Sequence, residues 1–124
     1  MTKKVLIAED EPNIVASLEF LLRQAHYEVC VAHDGEEALR LVESFSPHLV
    51  LLDVMMPRMS GFDVCRCIRG SPASRGVKVM MLSAKGRDSD VDDGLAVGAD
   101  AYVTKPFSTQ ALLARVRELL GDGA

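Results

Sequence analysis

Apolar residues along this chain follow two rhythms. Five short runs are rich in Val, Leu, Ile and Met: Lys4 to Ala8, Glu28 to Ala32, His48 to Val54, Val77 to Leu82 and Asp100 to Val103. Three of them are nearly unbroken, which suits parallel strands covered on both faces rather than strands with one wet side. The last run is shorter and more mixed. Between the runs the apolar positions recur at helical spacing. Ile14, Leu18, Leu21 and Leu22 make one stripe, with Pro12 near the first turn, where proline is tolerated. Asp34 followed by Glu37 reads as a capping box, opening a helix that carries Ala38, Leu41 and Val42. A shorter helix from Gly61 to Arg69 ends at Gly70-Ser71-Pro72. A fourth starts at Asp88 or Ser89, turns Val91, Leu95 and Ala96 inward and closes at Gly98. Ser108 or Thr109 caps the fifth, with Leu112, Leu113, Val116, Leu119 and Leu120 apolar and Gly121 at its end.

Five strands alternating with five helices predict an α/β fold, a (βα)5 doubly wound five-stranded parallel sheet. Right-handed crossovers make the sheet open and doubly wound, and the expected strand order is the flavodoxin-like 2-1-3-4-5. The 124 residues fit a single domain, residues 1–124, with 121–124 a tail or linker stub. Composition adds mainly exclusions. Hydrophobic residues make up 48% and charged residues 26%, a globular balance, and no apolar run approaches the ~20 residues that cross a bilayer. Val5 to Ala8 is too brief for a signal peptide, so the expected compartment is the cytoplasm, with no membrane partner. The odd count of three cysteines fits reduced thiols. Net charge is −4, which offers no footprint for direct nucleic-acid binding.

In open α/β sheets ligands sit at the carboxyl ends of the strands. Strand one ends in Glu9-Asp10-Glu11, strand three in Asp53, strand four in Ser83-Ala84-Lys85 and strand five in Thr104-Lys105-Pro106-Phe107. Singly these are ambiguous: a loop triplet of acids is ordinarily solvated, Ser83 serves equally as a cap, and Lys105 as a surface lysine. Yet Asp53 closes the most apolar strand, where an unpaired buried carboxylate is costly. Bringing Asp10 beside it adds about 4 kcal/mol of repulsion at about 4 Å and an effective dielectric of about 20. Such a cluster calls for a cation. Oxygen ligands without Cys or His favour Mg²⁺ or Mn²⁺ over zinc. Lys105-Pro106 also admits a cis bond that would aim the ammonium inward.

The segments V-L-I-A-E-D-E-P, L-V-L-L-D-V-M-M-P-R-M-S-G, V-M-M-L-S-A-K and G-A-D-A-Y-V-T-K-P-F stand in order along the chain. Together they resemble the receiver domain of two-component response regulators, of the chemotaxis-regulator type, from Val5 to about Leu120. The resemblance implies a phosphorylation switch rather than an enzyme. Asp53 would be the phosphoacceptor, charged by a sensor histidine kinase, a phosphotransfer protein or a small phosphodonor. Asp10, Asp53 and the Met55 backbone carbonyl would hold Mg²⁺, with Mn²⁺ as a substitute and Glu9 in a second shell or acting through water. Lys105 would pair with Asp53 and then the phosphoryl group; Ser83 would bond a phosphoryl oxygen; Tyr102 would change exposure in response. The output face would be the fourth helix, fifth strand and fifth helix, addressing an effector domain or protein and leaving open a phosphorylation-linked dimer. That face carries Asp92, Asp93, Asp100, Arg115 and Arg117, acids where DNA-binding regulators often carry bases.

The match bends in places. Many receivers have Asp at the position of Glu9 and Thr at that of Ser83, while Met55 and Lys85 occupy positions that tune dephosphorylation. Phe62, Phe107 and the Met55-Met56 pair are expected to pack. A phosphatase of the haloacid-dehalogenase type would need an acid two residues after Asp53, where Met55 stands. A flavin site would need phosphate donors where Glu9-Asp10-Glu11 repel anions. A receiver-shaped interaction module that is never phosphorylated remains the serious rival.

Overall fold

A computed structural model of the chain describes residues 2–84 and 98–121, without the side chain of Ala84. Its elements are β1 (Lys4–Ala8), α1 (Pro12–Gln24), β2 (Glu28–Ala32), α2 (Gly35–Phe45), β3 (Leu49–Asp53), α3 (Gly61–Gly70), β4 (Lys78–Ala84), β5 (Ala101–Lys105) and a C-terminal helix, α4 (Thr109–Leu120). The strands form one parallel sheet in the order β2-β1-β3-β4-β5. This is the doubly wound α/β architecture that the two rhythms predict. The helix expected from Asp88 or Ser89 lies outside the described residues, as do Lys85, Asp92, Asp93 and residues 122–124. Gly98, expected to close that helix, has a φ of 96°.

Strand alternation divides the core in two. Val5, Ile7, Leu49, Leu51, Met80 and Leu82 face Leu18 and Leu22 of α1 and Leu112, Val116 and Leu120 of α4. Leu6, Val50, Leu52, Val79 and Met81 face Ala38 and Val42 of α2 and Val64, Cys65 and Ile68 of α3. Every residue of β3 is buried, which is why that run carries no polar alternation before Asp53. Full burial of each leucine there stabilises the fold by about 1.5–3 kcal/mol.

Helix starts are fixed by side chains that satisfy open backbone amides. Glu11 accepts from Ile14 N ahead of Pro12, Ser60 from Asp63 N and Ser108 from Ala111 N. Asp34 accepts from Glu37 N at 2.8 Å, but the expected capping box is displaced by one residue: Glu37 Oε1 reaches back to His33 N at 2.7 Å. At the other end of the sheet, Arg69 ties α3 to the approach to β5. Its Nε donates to Gly98 O at 2.9 Å, Nη1 to the carbonyls of Arg75 and Val77, and Nη2 to Asp100 Oδ2 at 2.5 Å. Asp100 Oδ2 also accepts from Val79 N. Asp100, expected as a charge on the output face, is thus a fastener between β4 and β5.

β4 and β5 each run two residues further than the apolar pattern, to Ala84 and Lys105. The ladder pairs Ser83 with Thr104 and Ala84 with Lys105. Backbone pairing extends past the last apolar side chain because strand ends need not be apolar to be hydrogen-bonded. Ser83 and Lys105 are therefore held by the sheet itself.

Candidate functional site

Because all five strands are parallel, the carboxyl ends of neighbours β1, β3, β4 and β5 emerge on one edge, which gathers Glu9, Asp10, Asp53, Ser83 and Lys105. Glu9 follows β1, and its amide donates to Ala32 O at 3.1 Å, continuing the ladder toward β2. Its carboxylate is turned into the molecule and is fully buried. Glu9 Oε2 accepts from the amides of Asp10 (2.9 Å) and Glu11 (3.2 Å), while Oε1 receives Lys105 Nζ at 2.6 Å. Asp53, 4% exposed, accepts from Met55 N at 3.2 Å on Oδ1, and the same oxygen lies 3.2 Å from Lys105 Nζ. Asp10 is exposed at the mouth. The peptide bond from Lys105 to Pro106 is cis.

One carboxylate oxygen from each of Glu9, Asp10 and Asp53 lies within 4.8 Å of the others. Three acids thus face one ammonium. Burial pushes the Glu9 carboxyl above its ordinary value, and neighbouring Asp53 adds to this, while Lys105 and the Glu11 amide pull the other way. The Lys105 ammonium is held above its ordinary value: burial works against its charge, but Glu9 and Asp53 outweigh burial. The unbalanced negative charge and the all-oxygen donor set fit a hard divalent cation such as Mg²⁺. The residues that could hold it are Asp10 and Asp53, with Glu9 near enough to contribute.

The remaining expected residues fall as follows. Ser83 is buried at the end of β4, one residue past the Leu82 that pairs with Asp53. Tyr102 pairs with Met81 and packs, partly buried, against the α2/α3 face of the core. Alternation puts it on the same side of the sheet as Ser83. Met55 corrects one expectation. Met56 packs, as do Phe62 and Phe107, but the Met55 side chain is 60% exposed. Its amide is committed to Asp53 and the preceding Val54 fills the core, so the next side chain is sent outward.

Sequence reasoning paired Lys105 with Asp53 and missed its shorter bond to Glu9. The signal was present: an acid directly after the apolar run Val5 to Ala8, at the head of Glu9-Asp10-Glu11. Two glycines were missed as well. A Cβ on Gly61 would lie 2.3 Å from the Asp53 carbonyl oxygen, and one on Gly35 would lie 2.6 Å from Met59 Cβ. Gly61 closes the motif that carries Asp53, which could have drawn attention to it; Gly35 lies outside the quoted motifs and had no such signal.

The chain matches the response regulator receiver domain model over residues 5–117. It belongs to that family, and so is the receiver domain of a two-component response regulator. It is 42% identical over 120 residues to the alkaline phosphatase synthesis transcriptional regulatory protein PhoP of Bacillus subtilis, covering 97% of this chain and 49% of that protein. It is 48% identical over 122 residues to the sensory transduction protein RegX3 of Mycolicibacterium smegmatis, covering 97% and 51%. The chain thus spans about half the length of these curated relatives. Among solved structures, the BeF3-activated receiver domain of DrrB, a Thermotoga maritima protein, superposes with a TM-score of 0.88 at 36% identity, covering 98% of this chain and 99% of that one. No described helix is long and apolar enough to cross a membrane.

Proposed function

We propose that Asp53 is the phosphoacceptor of a two-component switch and works with a divalent cation, Mg²⁺ or in its place Mn²⁺. The observation that carries this is the setting of Asp53. It is a nearly buried carboxylate at the end of β3, bonded by the Met55 amide, 3.2 Å from Lys105 Nζ and clustered with Glu9 and Asp10. A carboxylate oxygen of Asp53 attacks the phosphorus of a phosphohistidine or acetyl phosphate. The new P–O bond forms as the bond to imidazole nitrogen or acetate oxygen breaks, and the donor leaves with the electron pair. Such a transfer needs positioning and charge neutralisation more than covalent help.

Asp10, Asp53 and the Met55 carbonyl would hold the cation, with Glu9 acting through water or directly. When bound, the ion supplies neutralisation of the phosphoryl oxygens. The protein's own contributions are distinct. Lys105, shared between Glu9 and Asp53, is placed to move its charge to an arriving phosphoryl oxygen. Ser83 offers a hydroxyl at the end of the adjacent strand, and Tyr102 on the same face takes up the change. Asp10 stays at the mouth, where a hydrated ion can reach it.

The donor partner would be a sensor histidine kinase or phosphotransfer protein. Output would pass through the face carried by β5 and α4 to an effector domain or protein, with a phosphorylation-linked dimer as one form of that output. Since PhoP is named a transcriptional regulatory protein, nucleic-acid contact would belong to an effector half; this chain carries a net charge of −4. The three free cysteines fit the reducing cytoplasm, where such a switch would act. It would turn over only its own phosphoryl group.

Beryllofluoride, an acyl-phosphate mimic, tests the site without catalysis. Fluorine NMR should show Mg²⁺-dependent bound resonances with the intact chain and none with Asp53→Asn. Equal binding by both would remove Asp53 from its role.

A further inference from the structure

We propose that the loop from Val54 to Ser60 is seated by two glycines, Gly61 and Gly35, and that this seat sets how readily Asp53 accepts a phosphoryl group. The inference rests on Asp53 being the phosphoacceptor. Gly61 opens α3 and lies directly against the end of β3. Its amide donates to Val54 O at 2.9 Å, so the chain closes on itself across the six residues between them. A Cβ at Gly61 would stand 2.3 Å from Asp53 O and 3.0 Å from both Asp53 C and Val54 Cα. All three are backbone atoms, and none can swing aside as a side chain would. The other side of the same segment is tied to β4, where Val54 N donates to Leu82 O at 2.9 Å. A methyl group at position 61 must therefore rotate the Asp53 peptide or lift the start of α3, by about 0.7 Å merely to restore a 3.0 Å contact.

Gly35 seats the far side of the loop. It is the first residue of α2, and a Cβ there would meet Met59 Cβ at 2.6 Å, Val64 Cγ2 at 3.0 Å and Met59 O at 3.3 Å. The turn resting on it is tight: Met59 N donates to Pro57 O, and Arg58 takes a φ of 72°. Arg58 also faces the acids on either side of Gly35, Asp34 at 3.8 Å and Glu36 at 3.6 Å. Between the two seats lies Met55, whose amide bonds Asp53 and whose carbonyl is the proposed cation ligand. Neither Gly61 nor Gly35 has a side chain that could bind a phosphoryl donor or a cation. They are positioning residues, and a displacement of about 1 Å in such a site can cost about 100-fold in rate.

The test compares wild type, Gly61→Ala, Gly35→Ala and Ile68→Val, the last a buried position of α3 away from Asp53. For each, circular dichroism and the urea midpoint report the fold. Intact mass after acetyl phosphate reports the phosphorylation rate, and a Mg²⁺ titration of that rate reports half-saturation. The expected result is a loss of about 100-fold in rate for Gly61→Ala, a smaller loss for Gly35→Ala, a raised Mg²⁺ half-saturation in both, and unchanged values for Ile68→Val. If Gly61→Ala does not fold, Gly35→Ala decides alone. Folded glycine variants that react within about twofold of wild type would overturn the inference. So would an equal loss in Ile68→Val, which would reduce the effect to general stability. A wild-type chain that takes up no phosphoryl group would overturn the phosphoacceptor role itself, and the inference with it.

Discussion

Lys105 Nζ lies 2.6 Å from Glu9 and 3.2 Å from Asp53, so its removal leaves three clustered carboxylates with no ammonium between them. Breaking a buried pair from one side typically costs about 3–5 kcal/mol, and the partial exposure of Lys105 brings the expectation down to roughly 2–4 kcal/mol. Lys105→Ala should lose that much stability in urea with EDTA present, and should gain more from added Mg²⁺ than wild type does. Equal stability of the two proteins in EDTA would show that the pair carries no net weight. Glu37 offers a test on the pH axis. The His33 amide, and then the His33 ring, hold its carboxyl below the ordinary value. A folded-state value below the unfolded one means that ionised Glu37 stabilises the protein above the ordinary carboxylate range, and that this contribution fades as pH falls through the folded value. The advantage of wild type over Glu37→Gln should be present at neutral pH and shrink on acidification. A difference that stays constant with pH would contradict it.

Elements were legible where a local rule and the tertiary environment agree. β1 and β2 fall where the apolar runs place them, and Ser108 and Gly121 bound α4 as their residue types require. Legibility failed where long-range partners decide. No window around Arg69 reveals that its guanidinium spans Gly98, Arg75, Val77 and Asp100, because the last lies 31 residues away. The two extra residues of β4 and β5 escape notice for the same reason, since ladder bonds between distant segments define strand ends. Arg69→Met should keep the aliphatic stem and lose the whole fork, at a cost of roughly 2–3 kcal/mol for hydrogen bonds to a charged group. Thermal or urea unfolding measures this directly. A loss below about 0.5 kcal/mol, the usual size for a surface change, would mean the brace is ornamental.

At the scale of the molecule, the observed order β2-β1-β3-β4-β5 is one of the few that general rules on parallel crossovers allow, and the site follows from that order. A parallel sheet must bring the residues that end β1, β3, β4 and β5 to one edge, so the strand-end acids, Ser83 and Lys105 could be grouped from sequence alone. The distances within the group could not, and neither could the seat supplied by Gly35 and Gly61, which act through the absence of a side chain. The most direct test of the account is the intact mass of the chain after incubation with acetyl phosphate, with and without Mg²⁺, for wild type and Asp53→Asn. The expected result is a gain of one phosphoryl group that requires Mg²⁺ and is absent from Asp53→Asn. The same gain in Asp53→Asn, or one indifferent to Mg²⁺, would contradict it.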